Sequence, residues 1–421
     1  MRALVAAAGV LLLASASGAS AAEPSRERVS AALRAQVGVA AMRQHLVALE
    51  RIADANGGTR ATGTAGYEAS ARYVRDRLTR AGYRARLAPF PFVAYREEVE
   101  RGRQLSPVER DLRPEALDYS PSTPAGGLSG VVAEAGEGCR ADELDGVAGR
   151  IALVRRGTCF FAVKARNAER AGAIAVIVYN NEPGPVDATL GSPGAVGIPA
   201  VTVTDAIGRA LASTRGATVR LEIRTSTRRT TARNVLGDRG EGGRVLVVGA
   251  HLDSVASGAG INDNGTGVAA LLELAKALRR HAPDLDVRFA FWAAEELGLH
   301  GSRAYVQGLS RAERSRIVGY LNFDMLGSRR FERGVYAGPL AATFTRYFRA
   351  RGLPARTIAI EGRSDHAPFA EAGIRVGGLY AGGDACYHRA CDRVASVNLR
   401  GLGELADAAA HAVAMLAPRS P

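Results

Sequence analysis

Four short apolar runs in the second half of the chain, at 244–249, 287–293, 318–323 and 375–380, constrain the fold more than any other feature. None alternates between apolar and polar residues, so each must be covered on both faces. Between the first two runs lies "GVAALLELAKALRR", whose apolar residues at 268, 271, 272, 275 and 278 mark one helix face. Strands buried on both faces and joined by amphipathic helices describe an α/β fold, with a mostly parallel sheet as the middle of three layers.

The rest of the chain divides by character. Residues 40–90 open with helical spacing (Met42, Leu46, Leu49, then Tyr67, Ala71, Val74 and Leu78) that stops at Ala81 and Gly82, and "YRARLAPF" then alternates like a strand. From 97 to 232 short strands, glycines and prolines dominate, and "GRIALVRRGTCFFAVKARNAERAGAIAVIVYNN" reads as strand, turn, helix and strand, a small α/β unit of its own. The expected division is a signal peptide at 1–22, a first part of the main domain at 23–96, an insertion at 97–232 and the remainder at 233–421. The signal reading rests on Arg2, the apolar run 3–13 and the small residues of "ASASGASAA", with cleavage near Ala21 or Ala22. No later segment offers the roughly 20 apolar residues of a membrane span, so a secreted protein without a membrane partner is expected.

At 421 residues, with 47% hydrophobic and 23% charged content, the chain is globular. Its formal charge of +13 raises the question of nucleic acid. Lysine occurs only at 164 and 276, however, and the arginines form no block interleaved with aromatics, so no nucleic-acid partner is expected. The four cysteines fall as two close pairs, Cys139 with Cys159 and Cys386 with Cys391, which in an oxidising compartment read as two disulfides; a four-cysteine zinc site is the competing reading.

Polar residues sit where the apolar runs stop. His251 and Asp253 follow the first, Glu295 and Glu296 the second, and Asp324 the third. Ligands of open α/β sheets bind outside the carboxyl ends of the strands, so these side chains converge on one crevice. Imidazoles among several carboxylates suit zinc, and so many carboxylates repel one another unless cations neutralise them. With His388 from "CYHRACD" added, the set divides into His251 and Asp324 on one zinc, Glu296 and His388 on a second, and Asp263 between them. Glu295 is left to act as general base toward water. Individually these residues have ordinary alternatives: Asp263 could cap the helix beginning near Val268, and a Glu-Glu pair is commonly a solvated surface.

In "AHLDSV", "INDNGTG", "AEELG", "NFDMLG", "GRSDHAPF" and "CYHRACD", in that order, the chain resembles the co-catalytic di-zinc aminopeptidases, the family of the secreted bacterial leucine-type enzymes and aminopeptidase Y. The resemblance covers 40–90 and 232–415. It implies the same ligands (His251, Asp263, Glu296, Asp324 and His388), Glu295 as base, and Asp253 orienting His251. It further implies that the Tyr387 hydroxyl stabilises the tetrahedral intermediate and that Arg363 lies near the substrate; a core tyrosine and a surface arginine are the alternatives. His366 is read as a support rather than a ligand. Residues 97–232 resemble the protease-associated domain carried by some of these peptidases, with a role in narrowing the cleft or as a spacer.

The function expected is hydrolysis of the N-terminal peptide bond of peptides with a free N-terminus, by a monomer carrying two Zn²⁺. A carboxypeptidase on the same fold and a receptor-like binding protein are the rivals. Between "GGLY" and "CYH" only "AGGDA" intervenes, a short loop that leaves the side-chain preference open.

Overall fold

The computed structural model describes residues 19–419 apart from 185, 187, 240–242, 283 and 361, with side chains from residue 26 onward. Most of the expected signal segment lies outside the described residues, and the site near Ala21 or Ala22 falls in the first turns of the helix Ala19–Gln36. Among the described residues no helix is long and apolar enough to cross a membrane.

Among the described residues, fourteen strands form one sheet. In chain order they are β1 (Arg84–Ser106), β2 (Arg110–Asp111), β3 (Glu115–Ala116), β4 (Leu128–Glu134), β5 (Ile151–Arg155), β6 (Ala175–Tyr179) and β7 (Ala200–Val203), followed by β8 (Thr218–Asp238), β9 (Val245–His251), β10 (Val287–Trp292), β11 (Ile317–Phe323), β12 (Gly334–Tyr336), β13 (Arg356–Ile358) and β14 (Val376–Tyr380). The four apolar runs are β9, β10, β11 and β14, and they lie side by side in the order β14, β11, β9, β10, all parallel.

Alternate side chains of these strands feed two cores, as the two-residue period of a strand requires. Leu246, Val248, Phe289, Phe291, Leu321 and Phe323 pack under the helices Val39–Asp54, Thr266–His281 and Leu399–Leu416. On the other face Val247, Trp292 and Tyr320 pack with Val306 and Phe369, from the helices His300–Gly308 and His366–Glu371. Three layers result, as the sequence predicts. Gly249 is a close-approach position in the middle strand. A Cβ there would lie 2.3 Å from the Tyr320 hydroxyl and 2.6 Å from the Trp292 indole nitrogen, which are themselves hydrogen bonded at 2.8 Å.

A second α/β unit has parallel strands β4, β5, β6 and β7, with the helices Phe161–Arg170 and Asp205–Ala212 and two small cores of its own. What joins it to the main sheet is a long antiparallel ribbon. β1 and β8 stay paired from Arg84 opposite Asp238 to Ser106 opposite Thr218. β8 pairs with β10 at one end and with β4 at the other. The expected boundaries at 96/97 and 232/233 fall within these two strands.

Candidate metal centre

The strand register sets His251, the last residue of β9, beside Trp292, the last residue of β10, so Glu295 and Glu296 emerge next to the imidazole. β11 ends at Phe323, which delivers Asp324 to the same rim. Asp263 comes from the loop Ile261–Gly265 that precedes the helix Thr266–His281, and His388 from the segment closed by the Cys386–Cys391 disulfide. The second expected disulfide, Cys139–Cys159, is also formed.

Asp263 divides its carboxylate between two imidazoles: Oδ1 lies 3.0 Å from His251 Nε2 and Oδ2 lies 3.3 Å from His388 Nε2. His251 Nε2 also lies 3.2 Å from Asp324 Oδ1, and His388 Nε2 lies 3.0 Å from Glu296 Oε2. Two groups with metal-ligand spacing therefore share Asp263, one with His251 and Asp324, the other with Glu296 and His388. His251, Glu295 and Glu296 form a third overlapping group.

The charge balance of this cluster fits a bound cation. His251 Nδ1 sits 3.2 Å from the Asp253 carbonyl oxygen; donation there leaves the Nε2 lone pair aimed at two carboxylate oxygens. Something positive must stand between them. Burial disfavours the imidazolium, but Glu295 and Asp324 outweigh it and hold His251 well above the ordinary histidine range. Burial likewise pushes the Glu296 carboxyl up to about 7, with Asp263 adding to it, and one of its oxygens, Oε1, is buried without a hydrogen-bond partner. Glu295 is raised well above its usual value by burial and by Asp365, Glu296 and Asp324. Asp263 is driven the other way, below the carboxylate range, because hydrogen bonds from both histidines overcome its desolvation. A cation in each group removes this repulsion and replaces the protons.

Other predicted residues sit as follows. The Asp253 carboxylate is 3.7 Å from His251 Nδ1, farther than its own carbonyl oxygen, and it accepts the Glu295 backbone N–H at 3.3 Å. It thus touches the backbone of Glu295 as well as the histidine. Tyr387 is not a core residue: it is 49% exposed and its ring stacks on that of His388, with centroids 3.7 Å apart. Burial, reinforced by the charges of Asp263, Glu296 and Glu295, pushes its phenol well above the usual range and keeps it a donor. Arg363 is exposed and donates to the Ile360 carbonyl at 3.3 Å. His366 meets the Tyr336 ring edge-on at 4.9 Å and belongs to none of the metal-spaced groups.

Several supports escape the sequence reading. Asp392 accepts the backbone N–H groups of Asn262 (2.7 Å) and Asp263 (2.9 Å), so the disulfide segment that carries His388 also grips the Asp263 loop. Ser364 donates to Asp324 Oδ2 at 2.7 Å and accepts from Asn322 at 2.8 Å, which leaves Asp324 Oδ1 for His251. Arg60 is fully buried and donates to the carbonyls of Leu252, Ala259 (2.7 Å) and Gly260 (2.5 Å), pinning the loop between His251 and Asp263. Ala294, Met325 and His388 all have positive φ (54°, 51° and 56°) without being glycine. Each is, or adjoins, a residue of the cluster, where such strain is concentrated in functional sites.

Comparison with known proteins places this geometry. Residues 234–413 match Peptidase family M28, and residues 128–211 match the PA domain. An aminopeptidase of Pseudomonas aeruginosa is 37% identical over 428 aligned residues, which cover 89% of this chain and 80% of that protein. Among solved structures, an aminopeptidase from Aneurinibacillus sp. strain AM-1 superposes with a TM-score of 0.79 at 27% identity, over 93% of this chain and 97% of that one. BSAP, a zinc aminopeptidase from Bacillus subtilis, gives 0.73 at 28% identity, over 90% and 95%. With its polar cluster at the carboxyl edge of a parallel sheet and a second α/β unit joined through a two-stranded ribbon, the chain belongs to Peptidase family M28 and carries a PA domain.

Proposed function

We propose that the protein is an exported aminopeptidase that removes N-terminal residues from peptides with two zinc ions. The observation that carries this reading is the sharing of Asp263 between two groups, His251 with Asp324 and Glu296 with His388. The aminopeptidase from Pseudomonas aeruginosa and the zinc aminopeptidase from Bacillus subtilis, both similar to this chain, support the same reading. Zinc bound there supplies Lewis acidity toward the scissile carbonyl and the attacking water. The chain's own residues do the rest. Glu295, whose carboxylate lies beside the cluster, takes the proton from water and passes it to the departing amine. The Tyr387 hydroxyl donates to the oxygen of the tetrahedral intermediate. The substrate's α-amino group, a cation, is held by the surrounding carboxylates, and Arg363 stands at the rim. Asp253 and Asp392 position His251, Glu295 and Asp263 through the contacts described above. The two disulfides support an oxidising, exported setting.

Purified protein is expected to release the N-terminal residue from aminoacyl chromogenic amides and from peptides. Chelation should abolish the activity and zinc restore it, with close to two equivalents per active chain by metal analysis. Product analysis that finds C-terminal residues released, or full activity at one equivalent of metal, overturns the reading.

A second expectation concerns the disulfide that brackets Tyr387 and His388. Its closed segment is short, with a sequence separation of 5, so the stability lost with it is on the order of 2 kcal/mol. Local geometry suffers first, because the same segment presents His388 and the Asp392 clamp. Cys386→Ser should weaken zinc binding and activity at temperatures where circular dichroism shows an intact fold. Unchanged zinc affinity and kinetics in that variant would remove the bridge from the site.

A further inference from the structure

Away from the metal cluster, the helices Val39–Asp54, Ala65–Arg80 and Thr266–His281 border an open groove of about 700 Å³. Five cations line it, Arg43, Arg51, Arg77, Arg80 and Lys276, against one carboxylate, Glu273. These residues are scattered along the chain and form no basic block. Helical spacing gathers them, since 77 and 80, and 273 and 276, are neighbours on one helix surface.

The floor is polar and buried. His45 Nδ1 is 2.7 Å from the Tyr73 hydroxyl and Nε2 is 3.1 Å from Glu273 Oε1, while Glu273 Oε2 accepts from Lys276 at 3.3 Å. Both oxygens of the single carboxylate are therefore engaged. The other acids of the first two helices turn away: Glu50 and Asp54 to Arg393, Glu68 to Arg233 and Asp76 to Arg75. Among the described residues no carboxylate pairs with Arg43, Arg51, Arg77 or Arg80. Arg77 lies over the Tyr73 ring, 4.9 Å from its centroid, which holds its fork at the groove wall.

Guanidinium groups gathered along one concave surface with no carboxylate paired to them repel one another, and their planar forks match phosphate oxygens two at a time. We propose that this groove is a binding site for a phosphate-bearing anion, distinct from the peptidase centre, with which it shares no residue. A peptide amino terminus is repelled there.

The test is a calorimetric titration of the zinc-loaded protein with sodium pyrophosphate at low ionic strength, repeated with R51Q/R77Q. One-to-one binding that weakens with added salt is expected, and the double variant should lose at least about tenfold in affinity. R110Q/R113Q, in the mixed-charge cleft around Glu109, Asp111 and Glu115, should bind as the parent does. Because both arginines of the test pair are exposed, R51Q/R77Q should keep parental peptide hydrolysis, which verifies its fold. Vesicles containing phosphatidylglycerol serve as competitor. Displacement of pyrophosphate identifies a lipid headgroup as the source and no displacement a soluble phosphate, and both support the site. Absence of binding, or equal affinity in R51Q/R77Q as a site at the zinc ions would give, overturns it.

Discussion

Glu295→Gln is expected to keep zinc and fold while kcat falls by about 10²–10⁴-fold, the usual cost of losing a general base. Glutamine preserves the shape of the side chain but cannot accept the proton from water. Glu295 and Glu296 are consecutive and cannot make the same contacts. Glu296 Oε2 lies 3.0 Å from His388 Nε2 and shares a metal-spaced group with Asp263, whereas Glu295 is tied to its surroundings through its backbone N–H on Asp253. Both carboxyls are pushed up by burial, and Glu295 would be able to act as a base at neutral pH once bound cations relieved the repulsion. Glu296→Gln should instead lose affinity for one zinc and recover part of its rate at high zinc concentration. The measurements are steady-state kinetics beside zinc content after gel filtration. Zinc loss in Glu295→Gln with retention in Glu296→Gln would exchange the two roles.

The readable parts of this fold are those where burial leaves a periodic signature. β9, β10, β11 and β14 are apolar because helices cover both faces, and the helix Thr266–His281 shows its face at 268, 271, 272, 275 and 278. The cluster is legible for a related reason: each of its strand-borne members follows one of those runs. Long-range polar contacts leave no such trace. Arg60, in "GGTRATGT", is separated by 192 to 200 residues from the carbonyls it feeds, and nothing local marks it as buried. Asp392 closes the quoted "CYHRACD" segment, but it acts on backbone N–H groups about 130 residues upstream, and nothing local marks that contact. Of the β1 and β8 ribbon only the start is legible, where "YRARLAPF" alternates, because the middle of both strands is exposed and rich in arginine, which resembles loop composition more than sheet. Asp263 is the instructive intermediate. Its sequence context fits a helix cap, yet the helix begins at Thr266 and the carboxylate turns to two imidazoles.

That position carries the largest effect on metal content. Asp263→Asn removes a charge that both groups share, so it should affect both zinc ions, where Glu296→Gln affects one. The Asp263 carboxyl is held below the ordinary carboxylate range, because two histidines hydrogen-bond to it despite its burial. An asparagine can present only one oxygen, and its amide NH₂ would face the other imidazole, where a cation is expected. Outer-shell substitutions around metal sites cost 10–100-fold in affinity, so loss of this shared ligand should exceed about 100-fold for at least one ion and leave hydrolysis at background. The backbone clamp from Asp392 remains, since it engages N–H groups rather than the side chain, and the loop should keep its place. The expected result is a folded protein with well below two equivalents of zinc after dialysis, whose rate is not restored at zinc concentrations that rescue Glu296→Gln. Retention of both ions by Asp263→Asn would mean that the two groups are held independently and that Asp263 does not bridge them.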